Sequence, residues 1–180
     1  MSAAVELLIY LMEEAFESPS SEATDESQSI IGNLRDVDDR MWRARLPGTT
    51  RTIESIVLHV GSCKVMYRDY AFGSRLLTWE SLQTQPWPDG QSPMTDAVVW
   101  LRRVHEELMA DVRQLDDEDL SRLRWTNWGE QRETRWLLGV LLQHDAYHAG
   151  EINRIRSVLA GEDRWQWQIE TGIDPIAAAD

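Results

Sequence analysis

Apolar residues recur at helical spacing in four long segments of the chain. These segments cover about 5–16, 52–70, 92–115 and 134–159. In each segment, apolar side chains three or four positions apart share one face, which is typical of a helix that buries one side. The third segment shows the pattern most regularly, at Ala97, Leu101, Val104, Leu108, Val112 and Leu115. The pattern therefore predicts four long helices.

The segments between these helices carry weaker signals. A shorter helix is predicted at about 29–42, where apolar residues again recur at helical spacing. The prolines within 78–93 fix φ and predict a loop there. The polar and aromatic stretch at 124–133 fits either a pair of short extended strands or a loop. The C-terminal tail, 160–180, includes an alternating stretch and is expected to pack over the helices in extended form.

Four long helices without a convincing sheet predict an all-α protein built as a four-helix bundle. A chain of 180 residues fits one domain, which we expect to span 1–180 with its core at about 5–159. Long connections follow the first and second helices. The order in which the helices neighbour one another is therefore open at this point.

Charge and cysteine content restrict the partners of the chain. Lys and Arg number 18 against 31 Asp and Glu, so the net charge is −13. An acidic surface repels phosphate backbones and anionic lipid, which predicts no nucleic acid and no membrane as partners. The single cysteine, Cys63, excludes an intramolecular disulfide and a CxxC zinc pair. With no signal peptide evident, these features favour a cytoplasmic protein.

Two histidines on the fourth predicted helix are candidate metal ligands. His144 and His148 stand four residues apart, which places them on one face about 6 Å apart along the axis. They lie within the apolar stripe, where unpartnered imidazoles cost free energy. One divalent cation satisfies both rings. The alternative is a hydrogen-bonded buried pair, or a groove lined by solvent.

A third histidine, His59, lies in a similar position on the second helix, one turn before Cys63. If the two helices face each other, His59 completes a three-His set with a free fourth position, as in catalytic metal sites. Taken alone, His59 is a core or groove histidine. Cys63 is better interpreted as a small buried residue than as a ligand. His105, beside two glutamates on the third helix, is expected to be partly exposed.

Two carboxylates beside the histidine pair are candidate catalytic residues. Glu151 shares the histidine face, where it can accept a hydrogen bond from an imidazole or act as a base. Its alternative role is a surface carboxylate that pairs with Arg154. Asp145 follows His144 directly and is a candidate for moving protons.

These residues resemble the DinB-like (DinB/YfiT) superfamily. The similarity is carried by Leu58-His59-Val60 and by residues 144–152, which read HDAYHAGEI, and it extends over roughly 5–159. The resemblance implies a four-helix bundle with up-down-down-up connections. It also implies a divalent metal ion, often nickel or zinc, held by His59, His144 and His148, in a protein that is frequently a homodimer. Many members of the family carry a bulky aromatic residue where this chain has Cys63.

Two functions follow as hypotheses. The first is a metal-dependent enzyme using zinc, nickel or manganese, either a transferase of a low-molecular-weight thiol, as the resemblance implies, or a hydrolase. In that enzyme Trp128 or Asn127 is expected to line the mouth of the site for a small-molecule substrate. The alternative is a non-catalytic, metal-stabilised ligand-binding or interaction module with a stress-related role. Nine tryptophans, several of them in loops, supply apolar surface for it.

Overall fold

The computed structural model describes residues 3–18, 26–83 and 93–162, and these are mostly helical. The α-helices are α1 (Ala3–Phe16), α2 (Ile30–Leu34), α3 (Asp39–Arg43), α4 (Ile53–Phe72), α5 (Trp79–Gln83), α6 (Met94–Val112) and α7 (Thr134–Ala160). The strands β1 (Leu123–Trp125) and β2 (Gln131–Glu133) form an antiparallel hairpin between α6 and α7. Single 3-10 turns lie at Glu26–Gln28 and Asp119–Ser121. The predicted all-α class is confirmed.

The four long helices, α1, α4, α6 and α7, match the predicted segments to within a few residues at each end. Local signals explain two of these boundaries. The side chains of Thr52 and Ser55 each accept a hydrogen bond from the other's backbone N–H at the start of α4. At the end of α7, Gly161 adopts a left-handed conformation with φ of 72°.

Two sequence predictions outside the long helices are wrong in detail. The single helix expected at 29–42 is split into α2 and α3, because the side chain of Asp38 accepts a hydrogen bond from the N–H of Met41 and starts a new helix. The expected loop at 78–93 begins with one helical segment, α5. Thr78 and Ser81 exchange side-chain-to-backbone hydrogen bonds there, before the first proline is reached.

The stretch at 124–133 belongs to the hairpin, so the extended interpretation of the two is confirmed. Leu123 pairs with Glu133, and Trp125 pairs with Gln131. The turn is closed by Thr126, whose N–H donates to the carbonyl of Glu130 at 2.8 Å.

The core consists of two buried clusters that the long helices share. One cluster joins α2, α3 and α4 to the start of α6 and the second half of α7, and it contains the fully buried Trp42. The other joins α1 to the end of α6 and the first half of α7. Helix α4 packs against both α6 and α7, which brings the middle of α4 beside the middle of α7.

Several predictions fall partly or wholly beyond the described ranges. They are most of the polar connection after the first helix, the proline-containing part of 78–93, and the extended tail after residue 162. Within the ranges that are described, no helix combines the length and the apolar character needed to cross a bilayer.

Candidate metal centre

Three histidines converge where α4 and α7 face each other. His59 projects from α4, and His144 and His148 project from α7. The Nε2 atom of His144 lies 3.0 Å from Nε2 of His59 and 3.1 Å from Nε2 of His148. The structure therefore brings together the three candidate ligands that the sequence pattern and the resemblance indicate.

The spacing of these nitrogens matches a shared cation. Ligand atoms of a tetrahedral site with metal–nitrogen distances of ~2.0–2.1 Å lie about 3.3 Å apart. A ring nitrogen carries either one lone pair or one hydrogen in the ring plane, so Nε2 of His144 can form only one good hydrogen bond with its two neighbours. A divalent cation satisfies all three nitrogens at once. The three-His cluster thus fits a metal-binding site.

Burial and neighbouring charges favour the neutral form of His59 and His144, which is the form that binds metal. Burial is the largest cause that lowers the pKa of His144 to about 3, and the neighbouring His148, His59 and Lys64 contribute to the same shift. The pKa of His59 is also lowered, first by burial and then by His148 and Arg51. Protons therefore compete weakly with a cation at these two rings.

Glu151 forms a hydrogen bond with the His148 ring on the side opposite its cluster-facing nitrogen. Its Oε2 atom accepts a hydrogen bond from Nδ1 of His148 at 2.6 Å. Arg51 donates to both carboxylate oxygens of Glu151, at 2.7 and 2.9 Å. Because Nδ1 of His148 carries the donated hydrogen, Nε2 presents its lone pair to the cluster. Of the two roles weighed for Glu151, the geometry favours the bond to an imidazole over an ion pair with Arg154.

Asp145 is not a member of the three-His cluster. Its side chain is 1% exposed and forms a buried ion pair with Lys64 of α4, itself 0% exposed. The other carboxylate oxygen, Oδ1, has no hydrogen-bond partner among the described residues. Sequence reasoning missed Lys64, although its position four residues after the buried Val60 places it on the buried face of α4.

The expectation that His105 is partly exposed is wrong, since the residue is 3% exposed. Its ring stacks on Phe16 at a centroid distance of 3.7 Å, and its Nε2 lies 3.5 Å from a carboxylate oxygen of Glu13. Helix α1 covers this side of α6, which the sequence of α6 alone does not reveal. His105 is not a member of the three-His cluster.

Cys63 is a buried free thiol, as expected for a small core residue. Its sulfur lies 3.8 Å from both ring nitrogens of His59. Burial raises the pKa of the Cys63 thiol to about 11, so it is protonated at neutral pH. Cys63 therefore forms part of the wall beside the three-His cluster, as a neutral side chain.

A recess of about 370 Å³ opens beside the cluster. Two of the candidate ligands, His59 and His144, line it. The remaining wall is apolar or aromatic apart from one amide, and consists of Cys63, Tyr67, Trp79, Asn127, Trp128, Val140 and Leu141. The expectation that Asn127 and Trp128 line the site is confirmed. None of these lining residues carries a charge at neutral pH, so the recess suits an uncharged group.

Comparison with known proteins identifies the family of this chain. No curated protein matches the chain. A family profile described as DinB superfamily matches residues 22–152, which is well over half of the 180 residues. That match includes all three clustered histidines and Glu151. The chain belongs to the DinB superfamily.

Proposed function

We propose that this protein is a metal-dependent enzyme whose single divalent cation is held by His59, His144 and His148. The observation that carries the proposal is the convergence of three Nε2 atoms beside a largely apolar recess. A cation on three imidazoles supplies Lewis acidity and an open coordination position, which suits activation of a thiol or of water. Zinc, nickel and manganese are all compatible with three imidazoles.

The chain's own residues have separate tasks in this proposal. Glu151 holds His148 in one orientation and one tautomer, and Arg51 in turn fixes Glu151. Both carboxylate oxygens of Glu151 already accept hydrogen bonds from these partners. We therefore assign Glu151 the role of positioning His148 rather than that of transferring protons. Asp145 is buried with Lys64, and neither of its carboxylate oxygens forms a hydrogen bond with a ring nitrogen of the cluster. We therefore assign Asp145 to holding α7 against α4.

The recess indicates the kind of substrate. Apolar and aromatic walls favour a compact, uncharged group, and burying a charge there without a partner is costly. Asn127 is the polar side chain on the wall, and its amide can orient a carbonyl or hydroxyl group. Transfer of a low-molecular-weight thiol to such a substrate and hydrolysis of such a substrate both fit. A cytoplasmic location and a homodimer stay predictions.

The architecture in this proposal is one domain over 1–180, built on a four-helix bundle of α1, α4, α6 and α7. The up-down-down-up order that the resemblance implies is consistent with the packing of α4 on both α6 and α7, and of α1 on α7. In that order α4 and α7, which carry the three histidines, are neighbours. The site depends on the packing of these two helices against each other, because no single helix supplies all three histidines.

Metal content tests the proposal directly. Protein purified without an affinity tag is measured by elemental mass spectrometry as wild type, as His148→Ala, and as the control His105→Phe. We expect close to one transition metal per chain in the wild type and the control, and a loss in His148→Ala. Wild-type protein that takes up no zinc, nickel or manganese contradicts the three-His site.

A second assay separates an enzyme from a binding module. Metal-loaded protein is given a thiol with 1-chloro-2,4-dinitrobenzene, and separately p-nitrophenyl acetate, each an uncharged aromatic electrophile. Turnover that disappears in His148→Ala supports the enzyme. The non-catalytic alternative is supported if the protein binds metal and binds these compounds saturably but does not turn them over. The aromatic walls of the recess fit that alternative equally well.

A further inference from the structure

A second concave site lies on the far side of Glu151 from the three-His cluster. It is a cleft of about 630 Å³ between the loop before α4 and the second half of α7. Leu46 and Ile155 supply apolar surface, and Tyr147 and Gly150 line it from α7. We call it the Arg51–Arg154 cleft. It shares none of its lining residues with the recess beside the histidines.

The charges of the cleft oppose those of the whole chain. The chain carries a net charge of −13, yet this cleft is lined by Arg51, Arg154 and a single carboxylate, Glu151. Glu151 already binds Arg51 through Nη1 and His148 through Nδ1. Across the described ranges, no Asp or Glu forms an ion pair with the exposed Arg154. The cleft therefore holds one cation without a counter-charge.

The wall of the cleft leaves room for a ligand close to the helix. A Cβ atom added at Gly150 would meet nothing within 4 Å, so no neighbouring element explains a glycine in the middle of α7. Beside it the side chain of Tyr147 is 62% exposed and offers an aromatic face. A glycine surface next to an exposed ring suits a flat or compact apolar group.

We propose that the Arg51–Arg154 cleft binds a small monocarboxylate whose body is aromatic or branched aliphatic. The carboxylate binds Arg154 and the outer edge of Arg51, and the body lies between Tyr147 and the apolar floor. Two arginines against one glutamate leave a single positive charge, which matches a monoanion. A phosphate dianion would meet Glu151 across the same cleft, so the site disfavours it.

The test uses the full-length, zinc-loaded chain and benzoate as the probe. Binding is followed by chemical-shift changes of the Gly150 and Tyr147 amides, with uncharged benzamide and inorganic phosphate titrated in parallel. Arg154→Gln removes the free cation. Arg103→Gln makes the same charge change on an exposed part of α6 and serves as the matched control.

We expect saturable benzoate binding that Arg154→Gln weakens by about tenfold or more and Arg103→Gln leaves unchanged. Benzamide should bind much more weakly, and phosphate more weakly than benzoate. Equal binding of benzamide, tighter binding of phosphate, or no change in Arg154→Gln each overturns the proposal.

The same titration on His144→Ala separates this site from the metal site. Benzoate binding that persists there, still dependent on Arg154, supports the cleft even if the proposed metal enzyme fails. Binding that is lost in His144→Ala and unaffected by Arg154→Gln places the carboxylate on the metal, and the cleft proposal is then wrong.

Discussion

The buried ion pair between Lys64 and Asp145 should dominate the response of this fold to mutation. Both side chains are almost completely excluded from solvent, and Lys64 Nζ also lies 5.3 Å from the centre of the Phe16 ring. Replacing Lys64 with Met leaves a buried carboxylate without its partner. Breaking such a pair costs about 3–5 kcal/mol. For a chain of this size that corresponds to a fall in Tm of about 6–20 °C.

The double variant Lys64→Met/Asp145→Leu should behave differently. It removes both charges and fills the space with apolar groups, so its stability should lie within about 1–2 kcal/mol of the wild type or above it. Urea unfolding of the metal-free proteins, with linear extrapolation, gives the free energies. Each single variant breaks the pair at a cost of about 3–5 kcal/mol, so the coupling energy from the double-mutant cycle should be at least about 4 kcal/mol in magnitude.

A surface ion pair provides the control for this cycle. Arg135 and Glu133 form a pair whose side chains are 62% and 39% exposed, so Arg135→Met should cost less than about 1 kcal/mol. If Lys64→Met costs no more than Arg135→Met, the pair does not carry the buried charges assigned to it. If the double variant is as unstable as the single one, lost packing and not an uncompensated charge is the cause.

Three further predictions concern single side chains near the helix contacts. Glu151→Gln should weaken zinc binding by about 10–100-fold in a competition assay with a chromophoric chelator, and unchanged affinity would refute its positioning of His148. In metal-free protein, Cys63, with a pKa of about 11, should react with iodoacetamide at pH 8 about 100-fold more slowly than a free thiol. Its rate should rise with pH towards 11, and fast alkylation at pH 8 would contradict the burial. Burial lowers the pKa of His105, so the folded state binds fewer protons than the unfolded state, and stability should fall as pH drops below about 6.5. His105→Phe should reduce that loss between about pH 6.5 and 5, whereas identical pH profiles would show that His105 is not responsible.

The parts of the fold that follow from short-range patterns were predictable. The six residues of the apolar stripe predicted for the third long helix are all buried as expected, because a helical period fixes which side chains face the core; they are Ala97, Leu101, Val104, Leu108, Val112 and Leu115. His144 and His148 could be recognised as candidate ligands because they stand inside an apolar stripe. His59 could be added only as a third candidate, on the condition that its helix faces theirs. Its place depends on α4 and α7 being neighbours, and that is a property of the packed chain.

The interactions that sequence reasoning missed join residues far apart in the chain. Arg51 and Glu151 are 100 residues apart, and Lys64 and Asp145 are 81 residues apart. Each of these four residues has several candidate partners of opposite charge, and helix packing alone selects one. The acidic sequence neighbours of His105 predict partial exposure, yet Phe16, whose ring stacks on it, lies on another helix.

The hairpin between α6 and α7 allows the shape of the recess to change independently of the positions of the three histidines. The three histidines belong to long helices, whereas Asn127 and Trp128 of the recess wall belong to a turn. That turn is closed by its own hydrogen bonds between Thr126 and Glu130. Replacing the turn residues should therefore alter the shape of the recess while the helices stay in place. Exchange of this one short turn is therefore a route by which the lining of the recess can change while the three histidines keep their positions.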